Sequence, residues 1–183
     1  MKRKWKQLMG ILLSFLMVLE LMPGMSLKVY ADDPYAALKN TTTAVKFANR
    51  DWYLIDYNSS TVTLLSKDCI GASMYDANGE SSVYENSTIQ TFVNNWYSNN
   101  ISNEDQSAVS GGMFLLTTEQ AQNINQANSE VLKCDKADGA EANIWWLGSR
   151  GYYDDSAACV HGDYGYVRDD GIIVMTALVS APL

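Results

Sequence analysis

The sequence predicts an α+β single domain of short antiparallel strands with two or three helices. Three observations carry this. Short runs rich in aromatic and β-branched residues are separated by clusters of Asn, Ser, Gly and Asp, the pattern of strands joined by tight turns. Ile89, Phe92, Val93, Trp96 and Tyr97 fall at i, i+3, i+4, i+7 and i+8, one apolar helical stripe. Ile144-Trp145-Trp146-Leu147 is a short apolar run, and the turn-prone Gly148-Ser149-Arg150-Gly151 follows at once.

Taken in order, Val45–Ala48, Trp52–Tyr57 and Thr61–Ser66 read as strands, with turn chemistry at Asn49-Arg50-Asp51 and Asn58-Ser59-Ser60. Cys69–Tyr75 is a further strand candidate. Ser87 is placed to cap the helix that carries the stripe, and Ser102 to cap a second, short one. Met113–Leu116 has the composition of a buried strand. Thr117 with Gln120 fits a capping box opening a helix through Ile124. Residues 125–143 are polar and read as a long surface loop, the kind of segment in which binding residues gather. The tryptophan strand follows, then short strands at Ala157–Val160, Tyr164–Arg168 and Gly171–Met175.

The N-terminus has the form of a secretory signal. Lys2, Arg3, Lys4 and Lys6 precede the apolar Leu8–Leu21, and Val29-Tyr30-Ala31 puts small residues at −3 and −1, so cleavage is expected after Ala31. A retained membrane anchor fits less well, because Glu20 interrupts the run and Pro23-Gly24 breaks it. The expected organisation is a signal peptide over 1–31, a flexible mature N-terminus over 32–43 and one domain over 44–183. Residues 1–31 carry five of the 13 Lys+Arg and one of the 21 Asp+Glu, so their removal takes the net charge from −8 to −12. Such an acidic chain is expected to bind neither nucleic acid nor, after cleavage, a membrane, since both need clustered Lys and Arg. The expected location is secreted or extracellular. Cys69, Cys134 and Cys159 allow one disulfide and an odd thiol in an exported chain, and their spacing leaves the pairing open.

The segments Val45–Ala48, Trp52–Ile55, Leu64–Ser66, Tyr84–Ile89 with Asn94–Tyr97, Phe114–Ala121 and Trp145–Ser149 resemble, in order and spacing, a family of secreted bacterial domains of unknown function common in clostridia-like organisms. The resemblance covers the chain from about Ala44 to the C-terminus. It implies a C-type-lectin-like domain, a fold shared with the formylglycine-generating enzymes. The chain departs from the family pattern twice. Gly148 stands where the family has Arg after Trp-Trp-Leu, and Ile173–Leu178 stands where it has Gly-Val-Arg-Pro-Ala-Leu. Both arginines are missing together, which is less damaging than losing one partner of a buried network. Arg at 148 alone is therefore expected to destabilise the domain.

The candidate ligand-binding residues are Trp145, Trp146, Tyr152, Tyr153, Tyr164 and Tyr166, aromatics set among acids and small residues that suit a glycan or a protein contact. Neighbours on a strand point to opposite faces, so one indole anchors a core and the other is free to back a loop or meet a ligand. The commoner role of any single Trp is packing. No cofactor is expected, apart from a weak calcium candidate at Asp135, Asp138, Glu141 and Asn143, hard oxygens in the polar segment. The tripeptides that hold calcium and sugar in C-type lectins, Glu-Pro-Asn and Gln-Pro-Asp, are absent. No catalytic residue stands out. His161 is the only histidine, and Cys159 lies too close to it on one strand to act as its nucleophile. The expected function is a secreted, non-catalytic recognition module. The alternatives are an extracellular hydrolase acting on glycans through an unidentified carboxylate pair, and a purely structural module.

Overall fold

The computed structural model describes residue 33, residues 35–135, residues 139–172 and, for the backbone alone, residues 177–179. The chain divides after Asp33 into two units, and every element below belongs to the second. Strands β1 (Ala44–Phe47), β2 (Arg50–Tyr57) and β3 (Val62–Ser66) form an antiparallel sheet in that order. The turn chemistry explains the pairing. Ala48 and Asn49 both take positive φ, the two-residue turn whose twist suits a hairpin. The Asn58 carboxamide oxygen accepts from the amides of Ser60 and Thr61 at 2.9 and 3.0 Å and holds the second turn.

The second sheet has the order β4-β8-β5-β6-β7, from Gly71–Ser73, Ala177–Val179, Ile144–Arg150, Ser156–His161 and Tyr166–Ile172. Its neighbours are antiparallel except for the parallel β5/β8 pair. The α+β class with short antiparallel strands is thus present among the described residues. Among the described residues three helices accompany the sheets: α1 (Thr88–Asn100), α2 (Asn103–Gln106) and α3 (Thr118–Asn128), the last running into a 3-10 helix at Ser129–Leu132. The predicted caps are in place. Ser87 accepts from the Gln90 amide, Ser102 from the Asp105 amide, and Thr117 exchanges reciprocal hydrogen bonds with Gln120.

The central strands are buried on both faces. Trp52 and Leu54 of β2, Trp146 of β5, and Ala157 and Cys159 of β6 enter one apolar cluster, which Ile89 and Val93 of α1 close. Their alternate neighbours Tyr53, Ile55, Trp145, Leu147, Ala158 and Val160 enter a second cluster, closed by Ala121 and Ile124 of α3 and by Val131 and Leu132. The two-residue pleat accounts for this division, because consecutive side chains leave a strand on opposite sides. The α1 stripe behaves as a core face, with Phe92, Trp96 and Tyr97 half-buried at its margin. Arg50 lies 4.8 Å over the Trp96 ring.

Three expectations are corrected. Met113–Leu116 is extended and largely buried but joins no sheet. It lies beside β5 where that strand's register to β6 shifts between Trp146 and Arg150, and the Gly148 amide turns to the Leu116 carbonyl at 2.8 Å. Residues 125–143 are not one loop, since α3 continues to Asn128 and Val131 and Leu132 are buried. Residues 35–43 do not trail as a tail. Asn40 donates to the Leu54 carbonyl at 2.8 Å, Asn128 donates to the Asn40 carbonyl, and Lys39 pairs with Asp56 at 2.6 Å. The predicted strand Gly171–Met175 is described only to Ile172, where β7 ends. Its remainder lies outside the described residues.

Gly148 now has a reason that does not depend on a missing network. A Cβ there would stand 3.2 Å from the Leu115 carbonyl oxygen, in a segment the Gly148 amide itself holds. Gly148→Ala and Gly148→Arg should each cost about 1–3 kcal/mol, the usual penalty of forcing atoms into a packed site. Thermal melting of the two variants checks this, and a melting temperature above that of the parent would overturn it.

Burial raises Tyr75 above its ordinary value of 10.0, and its hydroxyl is buried without a partner. Burial and then the Glu85 carboxylate push Tyr84 up to about 12. A phenol raised in the folded state stabilises the fold fully below the unfolded value, and that contribution is lost as pH rises through the folded one. Tyr75 and Tyr84 should therefore ionise only as the fold opens at high pH. Tyrosinate absorbance against pH reads this directly. Loss of the Tyr75 or Tyr84 phenol proton while the far-ultraviolet dichroism stays intact would contradict it.

Candidate functional site

Trp145 and Trp146 point to opposite faces, as the pleat requires, but each face is interior. Trp145 Nε1 donates to the Leu132 carbonyl at 2.9 Å, and Trp146 Nε1 donates to the Ser73 carbonyl at 3.0 Å. Tyr75 meets the Trp146 ring edge-on at 5.4 Å. Both indoles are buried. Neither offers a ring face to a ligand, so their place among the predicted ligand contacts is corrected to that of core anchors.

The four tyrosines are exposed but do not form one surface. Tyr152 and Tyr153 sit in the β5–β6 connection, 77% and 61% exposed, their rings T-shaped at 4.9 Å. Tyr164 and Tyr166 sit at the β6–β7 hairpin, 62% and 42% exposed. The length of β6 separates the groups, on the order of 17 Å for its five residue steps.

The hairpin end is the more highly organised. His161 is paired across the ladder with Tyr166, so both rings stand on one face. They stack at 5.4 Å and 23°, Tyr164 lies 4.9 Å from His161, and the two tyrosines stack at 6.0 Å and 20°. The reversal depends on Gly165, whose φ is +69° and whose amide donates to the His161 carbonyl at 2.7 Å. Asn125 donates to the Gly165 carbonyl at 2.6 Å and fixes the hairpin on α3. Beside the rings, Asn143 Nδ2 donates to Asp163 Oδ1 at 2.6 Å, and the second Asp163 oxygen lies 3.7 Å from His161 Nδ1. Asn143 Oδ1 and His161 Nδ1 are buried without a hydrogen-bond partner. His161 and Asp163 are the members that sequence patterning missed. Their signal is the spacing His161-x-x-Tyr164-x-Tyr166 across a Gly-supported turn.

Of the calcium candidates, Asn143 is engaged with Asp163, Asp135 and Glu141 are exposed, and Asp138 lies outside the described residues. Asp135 and Asp163 line a recess of about 300 Å³ together with Lys67, Lys133 and Cys134. Among the described residues no three of His, Cys, Asp and Glu converge on one point where a metal would sit. A second cavity, about 360 Å³, lies along β3 between Phe47, Val62, Leu64, Val109 and Phe114, away from the tyrosines.

Comparisons with family models, with curated proteins and with solved structures return no match to this chain.

Gly165→Ala tests what holds the ring cluster. A Cβ would overlap the Ser129 carbonyl oxygen, and the backbone would carry a positive φ without glycine. The expected loss is about 2 kcal/mol or more, the sum of backbone strain and a forced shift of the 3-10 helix. Urea denaturation measures it, and an unchanged midpoint would show that the hairpin is not docked in this way.

Proposed function

We propose that the chain is a secreted, non-catalytic recognition module with a C-type-lectin-like arrangement, binding a glycan outside a bacterial cell through the β6–β7 hairpin. The observation that carries this reading is the ring cluster His161–Tyr164–Tyr166. Its members hold one another before any ligand arrives, and two of them stay substantially exposed. A sugar ring presents an apolar C–H face that stacks on such aromatics, while Asp163 offers a hydroxyl acceptor at the edge. Pre-ordered rings cost little conformational entropy on binding. The form of residues 1–31 supports export, and the acidic surface supports a neutral or cationic partner over an anionic one. An extracellular protein is the alternative partner of the same rings.

The test is binding of the purified protein to an array of bacterial and host glycans, with calcium and with chelator. Tyr164→Ala and Tyr166→Ala should each weaken binding roughly 3–10-fold, as the loss of one stacking contact implies. Tyr152→Ala and Tyr153→Ala should leave it unchanged, and chelator should have no effect. Binding abolished by chelator would move the site to a metal. Binding that follows Tyr152 and Tyr153 would move it to the other end of β6, and an array without any hits would end the glycan reading.

A further inference from the structure

We propose that Cys69 and Cys134 form a disulfide that ties the β3–β4 connection to the end of the 3-10 helix. The fold sorts the three cysteines. Cys159 is buried on β6 and faces the cluster that holds Trp52 and Trp146. Cys69 and Cys134 both pack against the other cluster, the one that holds Trp145 and Leu132. Lys67 and Asp68, just before Cys69, line one recess with Lys133 and Cys134, so the fold brings the two cysteines to one place although 65 positions separate them in sequence. Cys134 is anchored on both sides. Its amide donates to the Gly162 carbonyl at 3.2 Å, and Lys133 before it donates to the Glu130 carbonyl.

Access and stability follow from the same surroundings. Cys134 lines the open recess beside Lys67 and Asp163, so a small oxidant reaches the pair, whereas Cys159 is sealed. Formation is a thiol–disulfide exchange. The two thiols surrender two protons and two electrons to a small-molecule disulfide such as oxidised glutathione, which leaves as two thiols. The neighbouring Cys69 thiol, with burial, raises the Cys134 thiol above its ordinary value. A thiol so raised is a poor leaving group, and a bridge built on it resists reduction. The pairing goes beyond the recognition reading and does not require it, since the geometry is the same in any compartment. Only the oxidant depends on export.

The experiment uses the full chain, purified reduced and equilibrated with mixtures of oxidised and reduced glutathione. Free thiols are then alkylated and the protein is digested with trypsin without reduction. Cleavage after Lys67, Lys133 and Lys136 places Cys69 in peptide 68–133 and Cys134 in the tripeptide 134–136, while Cys159 falls in peptide 151–168. The expected product is 68–133 joined to 134–136, about 2 Da lighter than the two free peptides for the hydrogens lost. The oxidised protein should melt roughly 10 °C above the reduced one, given the length of the loop closed. The Cys69→Ser/Cys134→Ser double variant should lose that redox dependence, and Cys159→Ser should keep it. Alkylation of both Cys69 and Cys134 across the whole buffer series would overturn the proposal, as would a link that includes Cys159 or joins two chains.

Discussion

Two buried indole N–H groups on consecutive residues set the terms for the rest of the molecule. A strand that sends Trp145 to one face and Trp146 to the other must bury two large rings in two separate interiors. It must also find each N–H an acceptor, because an orphaned donor inside a protein costs about 1–3 kcal/mol. The ladder of β5 cannot supply these acceptors, since its carbonyls lie in the plane of the sheet. They come from elsewhere: the Leu132 carbonyl at the end of the 3-10 helix and the Ser73 carbonyl at the end of β4. Satisfying the tryptophans therefore positions a helix on one side and a short strand on the other. The Cys134 segment, the recess and the docking of the β6–β7 hairpin on α3 are built from the parts so placed.

The same two-faced construction explains where the exposed chemistry lies. Strands β5 and β6 have no free face, so ring surface open to solvent is available only where they end. Strand β6 has an aromatic group at each end. One group is a pair of tyrosines in a connection. The other is a three-ring cluster held by a paired strand position, a glycine turn and a side-chain hydrogen bond from α3. A ligand meeting the second group finds surfaces already ordered.

Much of this was legible in the sequence wherever local chemistry decides. The caps at Ser87, Ser102 and Thr117, the α1 stripe and the Asn58 turn depend on residues within a few positions of one another. Features decided by distant partners were not legible. Met113–Leu116 has the composition of a strand, but its hydrogen-bonding opportunity is the irregular stretch of β5 at Gly148. Val131 and Leu132 sit in a polar stretch, and their burial depends on a face of the sheet assembled from residues more than ten positions away. At Trp145 and Trp146 the alternation was readable, but the presence of a second interior was not. Composition also grouped four tyrosines that the length of β6 holds apart.

The interior tryptophans also divide the protein's spectroscopic signals. Trp52, Trp145 and Trp146 each donate an indole N–H to a backbone carbonyl in a distant or neighbouring segment and are shielded from solvent. Their emission and their indole proton resonances report whether the two interiors are assembled. A molecule resting on the hairpin would register in the tyrosine and histidine ring resonances instead. Integrity and occupancy are thus carried by different nuclei, and one sample yields both without an added label.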